Sequence, residues 1–558
     1  MDKVSQKTKV IQFLKDFRAF IDKSPLWRIK YSNLLYAMED KINEPCVLAI
    51  AGRVKAGKSS FLNALLGKKL AVVGINETTA TINMFRKRTS SDDPSHEIKI
   101  IWENGSVSYE DYSFMDKLQG TSIDVLNLAK QIRRVEYITD DELLDRITLV
   151  DTPGTDAQSG DGDTSHEKTV EEYLLRKKHT SETLYYTDTA DAIIYLTGMV
   201  ANQSNEHFLQ EFSTTTGRTS SALNSIGILA RADELPFSER KKLPQLVCDV
   251  QNGLKDYLNV VMPVSSCLWD VINRQDFDDI VRDLCNRLSK MASESIDFVT
   301  NRLENFLRDD EGDTGIVSYM NRKGINSDDL SIFEIDYRKS LYDYFEHWTI
   351  TKLIIDFAVE CNFDVNTTKQ KLFNYAGIGY VKDKVYEHFF NRAESIKCFR
   401  IMSDLKAIID EINRFGLSSL KIVAKQKKEV LERINTLPRE TYDWILSNYK
   451  MIPPLEKLEE LEKEFNESIL VEYDELISDL QWEDNIYEAS IILTKHRELF
   501  TADERDELEN LFNVRNINKS TPLNARERFM YWNEEMITTK FRERKVVAQM
   551  ATSVYSRY

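Results

Sequence analysis

The sequence predicts an α/β domain with a mostly parallel sheet, joined to an elongated all-α helical bundle. Three observations predict it. Short apolar, β-rich runs alternate with helical stretches over residues 46–290. Gly52-Arg53-Val54-Lys55-Ala56-Gly57-Lys58-Ser59 fits GxxxxGK[ST], after an apolar strand and before a helix. From about residue 291 the pattern is helical almost throughout, and no glycine follows Gly416.

Each element follows from its own residues. Residues 1–43 read as two helices. Val10, Phe13, Leu14, Phe17, Phe20 and Ile21 recur at helical spacing, Pro25 interrupts, and a second helix covers Leu26 to Ile42. The mixed charge of the polar face favours packing on protein over a membrane surface. The expected strands are CVLAIAG, ITLVDTPG, DAIIYLTG, SIGILA and VVMPVSS. Ligands bind at the C-terminal ends of such strands. Further on, Leu455, Leu458, Leu461, Phe465, Ile469, Tyr473, Leu476 and Leu480 form the narrow seam of one long amphipathic helix. Breaks are expected at Asn435–Pro438 and Ile452–Pro454.

The 558 residues imply several domains, and 42% hydrophobic with 30% charged residues fits a globular protein with a core. The net charge of −17 disfavours nucleic acid as a partner. None of the six cysteines forms a CxxC pair, so reduced, mostly buried thiols in a cytoplasmic protein are expected. No apolar leader and no run long enough for a transmembrane helix is present, so any membrane contact is expected to be peripheral, at the inner face of the cell membrane.

The motif's glycines let backbone N–H groups wrap phosphates, and the following helix adds its dipole. Gly52, Arg53, Lys55, Ala56, Gly57, Lys58, Ser59 and Ser60 are the expected cradle. Lys58 is expected to reach the β- and γ-phosphates, and Ser59 to ligate Mg²⁺. Asp151-Thr152-Pro153-Gly154 closes the strand ITLV. Asp151 is expected to hold Mg²⁺, directly or through water, and Gly154 to offer its N–H to the γ-phosphate. In Glu77-Thr78-Thr79-Ala80-Thr81, Thr79 is the expected switch ligand to Mg²⁺, with Thr78 second. After SIGILA comes Arg231-Ala232-Asp233. Asp233 is expected to accept both N1–H and the exocyclic amine of guanine, which adenine cannot match. Ser265, Ser266 and Cys267 are expected to present backbone N–H groups to the guanine O6.

Together these residues resemble the bacterial dynamin-like large GTPases. VLAIAGRVKAGKSSFLNALLG looks like that family's first strand, loop and helix; INETTATI looks like its switch; ADAIIYLTGMVANQSNEHFLQEF resembles its next strand, polar loop and helix. The stretch from Phe373, FNYAGIGYVKDKVYEHFFNRAESIKCFRIMSDLKAII, resembles the mycobacterial isoniazid-inducible type. The resemblance implies an α/β P-loop GTPase domain plus an elongated all-α helical bundle forming neck and stalk. Residues 1–43 would begin the neck, 44–290 form the GTPase domain, 291–520 the stalk, and 521–558 a C-terminal helix returning to the neck. It implies GTP hydrolysis to GDP with Mg²⁺, a GTP-dependent head-to-head dimer with a second copy or a second dynamin-like subunit, stalk movement, and membrane tethering or remodelling. The alternative is a GTP-switched interaction protein in a stress, secretion or defence pathway, without direct lipid contact. A ribosome-assembly GTPase is disfavoured by the acidic charge.

The chain departs from the family pattern in places. The base-reading motif starts Ala230-Arg231, not Asn or Thr then Lys; Arg231 can stack its guanidinium on the base. Glu77 replaces the usual proline before the switch threonine. Val54 and Lys55 stand where eukaryotic dynamins carry a Gln-Ser pair. Lys55 either neutralises charge between the β- and γ-phosphates, as a catalytic group, or is a solvated lysine. Ile350–Phe363 and Phe373–Val381 are the best apolar candidates for a membrane tip. The first reads as a core helix and the second as a turn between helices. The basic run Lys540–Lys545 reads as a solvated helix face.

Overall fold

In the computed structural model the described residues are 5–52, 56–68, 82–118, 131–151, 190–198, 224–255, 257–413, 451–512 and 524–556, with a few single positions between. The chain divides into two compact units, Pro45–Ala393 and Met1–Glu44 with Glu394–Tyr558.

The first unit carries a nine-stranded sheet in the order β4-β3-β5-β2-β6-β1-β7-β8-β9. Five of these are the expected runs: β1 (Cys46–Gly52), β6 (Ile147–Asp151), β7 (Ala192–Thr197), β8 (Ser225–Leu229) and β9 (Val261–Pro263). They lie side by side, and every pair among them is parallel. β1, β6, β7 and β8 are buried along their whole length, as strands covered on both faces must be.

Five of the eight strand pairings among the described residues are parallel, as expected of a mostly parallel sheet, and the other half supplies the three antiparallel ones. β2 (Ile82–Lys87) runs antiparallel to β6 and parallel to β5 (Ile132–Thr139), while β3 (Ile98–Trp102) is antiparallel to β5 and to β4 (Val107–Glu110). These strands carry charged residues. Arg86 on β2 pairs with Asp92 at 2.7 Å and with Glu136 on β5 at 2.7 Å, and Arg134 reaches Glu136 at 2.6 Å. Such strands lack the apolar runs that mark their parallel neighbours. The β3–β4 hairpin turns at Asn104-Gly105, with Gly105 at φ +83°, the residue pair most typical of tight hairpins.

This unit extends past the boundary expected near residue 290. One apolar cluster runs from Leu268 and Phe277 through Phe306, Leu341 and Leu353 to Ala376, so the helices up to that point share a core with those after β9. Ile350–Phe363 lies there as the helix Trp348–Glu360, with Ile350, Leu353, Ile354 and Ile355 buried. Arg338, fully buried, donates to the carbonyls of Phe333, Asn305, Phe306 and Arg308 and pairs with Asp310.

In the second unit α1 (Gln6–Ile21) buries all six predicted apolar residues, and α2 (Pro25–Lys41) begins at Pro25, where a missing N–H costs nothing. α1 meets the predicted seam: Phe13 lies 6.2 Å from Tyr473 and Phe20 5.7 Å from Phe465, ring to ring. The seam's helix runs Leu455–Glu464, widens to a π-turn at Phe465–Ile469, and continues as Leu470–Lys495. The expected single C-terminal helix is two, Ala525–Thr538 and Arg542–Tyr555, packed with Ile486, Leu493 and Leu508 around buried Trp532. Arg544, in the basic run, points into this unit: it meets Glu504 at 2.6 Å and Glu535 at 2.7 Å.

Candidate nucleotide-binding site

The motif sits where the sheet topology puts a ligand. β1 ends at Gly52 and α3 (Lys58–Leu66) starts after Gly57. Gly52 has φ +153°, and a Cβ there would stand 2.4 Å from the Leu196 carbonyl oxygen on β7. Gly57 has φ +87° with open space around it, so its need for glycine is conformational. Lys58 Nζ donates to the Gly52 carbonyl at 3.2 Å, folding back over the loop. Ala56 and Ser60 lie at the loop's end and in the first turn of α3. Arg53, Val54, Lys55, Thr79 and Gly154 fall outside the described residues.

Asp151 ends β6 between two strands, beside Ile50 on β1 and opposite Asn83 on β2. Ser59 Oγ donates to its Oδ2 at 3.4 Å. Its Oδ1 is buried without a hydrogen-bond partner. Burial pushes the carboxyl up to about 6, against the pull of the Lys58 ammonium and the Ser59 hydroxyl. A buried carboxylate oxygen with an open lone pair beside a hydroxyl and an ammonium fits a hard divalent cation and a phosphate. The sequence reading did not single out Asn83. Its Oδ1 is also buried without a partner, and residues directly opposite in an antiparallel pair face the same side. The signal was hidden because β2 itself was not recognised.

The residues expected to read a base lie at the ends of β8 and β9. Asp233 is buried in a short turn, Ala232–Glu234, after Arg231 at φ +61°. Arg231 pairs with Glu234 at 3.0 Å, and its side chain is half exposed. The turn is held from three sides: Ala230 N–H donates to the Thr197 carbonyl at 3.2 Å, Ala232 N–H to the Val264 carbonyl at 3.0 Å, and the Tyr375 hydroxyl to the Ala232 carbonyl at 2.8 Å. Surrounding protein, and then the nearby Asp233 carboxylate, push the solvent-facing Cys267 thiol up to about 11. The loops after β8 and β9 are thus neighbours.

Ser265 has a different task from the expected one. Its N–H donates to the Ala376 carbonyl at 3.0 Å, and its Oγ accepts from Leu268 N–H at 3.1 Å as the cap of the helix Ser266–Ile272. That commits the Ser265 N–H within the protein and takes it away from a base; Ser266 opens the helix behind it.

Residues 48–230 match the family model described as "Dynamin family". This segment, about a third of the chain, is similar to the dynamin family. The dynamin-family match contains the phosphate loop and Asp151 and closes at Ala230, just before Arg231 and Asp233. The chain is 28% identical over 197 residues to the isoniazid-induced protein IniC of Mycobacterium tuberculosis, covering 35% of this chain and 36% of that protein. It is 29% identical over 128 residues to Dynamin-like protein 2 of Campylobacter jejuni, covering 23% of this chain and 19% of that one. The aligned part therefore spans about a third or less of these relatives' lengths. A solved structure of an oligomerised bacterial dynamin pair, described as sensing and tethering membranes over long range, aligns over 100% of this chain and 96% of its own, with 13% identity and a TM-score of 0.33. Among the described residues no helix is long and apolar enough to cross a membrane.

Proposed function

We propose that this chain is a dynamin-like GTPase, binding GTP with Mg²⁺ and hydrolysing it to GDP and phosphate. The observation that carries this reading is the phosphate loop between β1 and α3 with Asp151 at the adjoining strand end, inside a dynamin-family segment. Lys58 lies against the β- and γ-phosphates. Ser59 and Asp151 hold Mg²⁺, with Thr79 as the switch ligand; the ion supplies charge neutralisation on the phosphates. Gly154 offers its N–H to the γ-phosphate. Asp233 reads guanine, with Arg231 stacked on the base and Ser266 at its O6 edge. Lys55 neutralises charge between the phosphates, and Val54 has no group to orient a water, so basal turnover is slow and rises when two heads meet across their nucleotides.

The test is a titration of GTP and ATP against the wild type and Asp233→Ala. The wild type is expected to prefer GTP and the variant to lose that preference. Equal affinities in the wild type would overturn the guanine assignment.

On this reading the helical residues beyond the GTPase domain form neck and stalk, and hydrolysis moves them, in membrane tethering or remodelling as a peripheral protein at the inner face of the cell membrane. One observation favours a second reading, a GTP-switched interaction protein without lipid contact. The first apolar candidate for a tip is used inside the sheet-bearing unit as the core helix Trp348–Glu360, and in the second Ala376, Ile378 and Val381 are buried, with Gly377 against the loop after β9, while Phe373 and Tyr380 stay exposed. Flotation with anionic vesicles and a non-hydrolysable GTP analogue separates the two. Absence of flotation in every nucleotide state would leave the second.

A further inference from the structure

Within itself the turn that carries Asp233 is held by the Arg231–Glu234 pair and by the Glu234 N–H on the Arg231 carbonyl, each at 3.0 Å. Ala230 and Ala232 have no polar side chains, and Arg231 takes a left-handed backbone conformation that costs an L-residue energy. Asp233 is buried, so its position depends on what fixes the Ala232 peptide next to it. Both backbone groups of Ala232 are held. Its neighbour on one side is the Val264 carbonyl, which accepts the Ala232 N–H at 3.0 Å. On the other, the Ala232 carbonyl accepts from the Tyr375 hydroxyl at 2.8 Å, across 143 residues of sequence.

Tyr375 is itself fixed. It packs against both the sheet cluster and the helical cluster, and its ring meets Phe357 edge-on at 5.4 Å. It lies in the last turn of the helix Val365–Ala376, next to the turn at Gly377. That turn seats on the neighbouring loop as well. Ala376 accepts the Ser265 N–H, and Gly377, at φ +73°, comes so close to the Pro263 carbonyl that a Cβ would stand 2.3 Å from it. One helix end therefore touches both loops that converge on the base. It comes from a part of the chain beyond the dynamin-family segment.

We infer that Tyr375 is a positioning residue for guanine selection: its hydroxyl sets the Ala232 peptide, and so the Asp233 carboxylate, at the geometry that accepts two hydrogen bonds from the base. This rests on the GTP reading above. A carboxylate that accepts both N1–H and the exocyclic amine discriminates GTP from ITP, which lacks the amine; one displaced by a fraction of an ångström keeps only one good bond.

The experiment measures GTP, ITP and ATP binding by the full chain, its Tyr375→Phe variant and its Phe357→Leu variant, with thermal melts of each. The wild type is expected to bind GTP about tenfold or more tightly over ITP. Tyr375→Phe is expected to narrow that ratio to about threefold or less while melting close to wild type. Phe357→Leu, which disturbs packing around the ring and keeps the hydroxyl, is expected to lower the melting temperature and keep the ratio. A full GTP-to-ITP ratio in Tyr375→Phe overturns the inference, as does its failure to fold, since the hydroxyl would then serve stability. An equal loss of the ratio in Phe357→Leu overturns it too. If the wild type binds GTP, ITP and ATP alike, the GTP reading itself fails, a result distinct from any of these.

Discussion

Asp151 shows how much a single position can be asked to do. The sequence marks it as the end of an apolar strand; the structure adds that one of its oxygens is buried and open while the other accepts from Ser59. Asp151→Asn keeps the volume and removes the charge. It is expected to raise the Mg²⁺ concentration needed for half-maximal GTP turnover about 10- to 100-fold, read from a Mg²⁺ titration. Glu504 is a carboxylate in the opposite state. Burial disfavours its charge, yet the Arg544 guanidinium, the Tyr531 hydroxyl and the Thr501 N–H outweigh it and hold the carboxyl down to about 2. A depressed folded value stabilises fully above the ordinary carboxylate range near 4.5, and that stability is lost as pH falls toward 2. Wild type is therefore expected to lose melting temperature between pH 5 and pH 3 more steeply than Glu504→Gln, which has no proton to take up there. Parallel slopes in circular-dichroism melts would contradict the assignment.

Among the elements, the clearest contrast is between the two halves of the sheet. The parallel half was legible because buried strands are written as unbroken apolar runs such as CVLAIA. The half with the antiparallel pairs was not, because Arg86 on β2 pairs with Glu136 on β5, which also pairs with Arg134 on its own strand, and charge there takes the place of apolar residues. The turn between Val365–Ala376 and Ile378–Val385 was legible from its glycines, but not its task. Gly377→Ala is expected to destabilise the sheet-bearing unit, because it adds a left-handed strain of about 1–2 kcal/mol and a clash with the Pro263 carbonyl. Thermal denaturation reads it. Arg338→Met is expected to cost about 3–5 kcal/mol, since four carbonyls and Asp310 would lose their shared donor. A melting temperature unchanged from wild type would mean that water replaces the guanidinium.

For the whole molecule, the two compact units cut across the order of the chain. The first 44 residues belong with the last 165 or so residues, Glu394–Tyr558. Helical periodicity told which faces of α1 and of the seam were apolar; it did not tell that they face each other. The proposed coupling of turnover to self-association belongs at this scale. GTP turnover per chain is expected to rise with protein concentration, and a constant specific activity across a hundredfold dilution series would count against it. The prediction rests on what Val54 lacks and on what Lys55 can supply only beside bound phosphates.

By itself the sequence determined the phosphate loop, the five parallel strands and the buried faces of the helices, because these are written in contiguous residues: backbone chemistry and local periodicity need no distant partner. Only the tertiary structure decided how the turn that carries Asp233 is held. Asp233 could be named from its place after β8, but the hydroxyl that fixes its peptide comes from Tyr375, 143 residues beyond Ala232. A hydrogen bond between residues so far apart leaves no spacing to read. It exists only because the helix Val365–Ala376 packs its last turn against the ends of two strands.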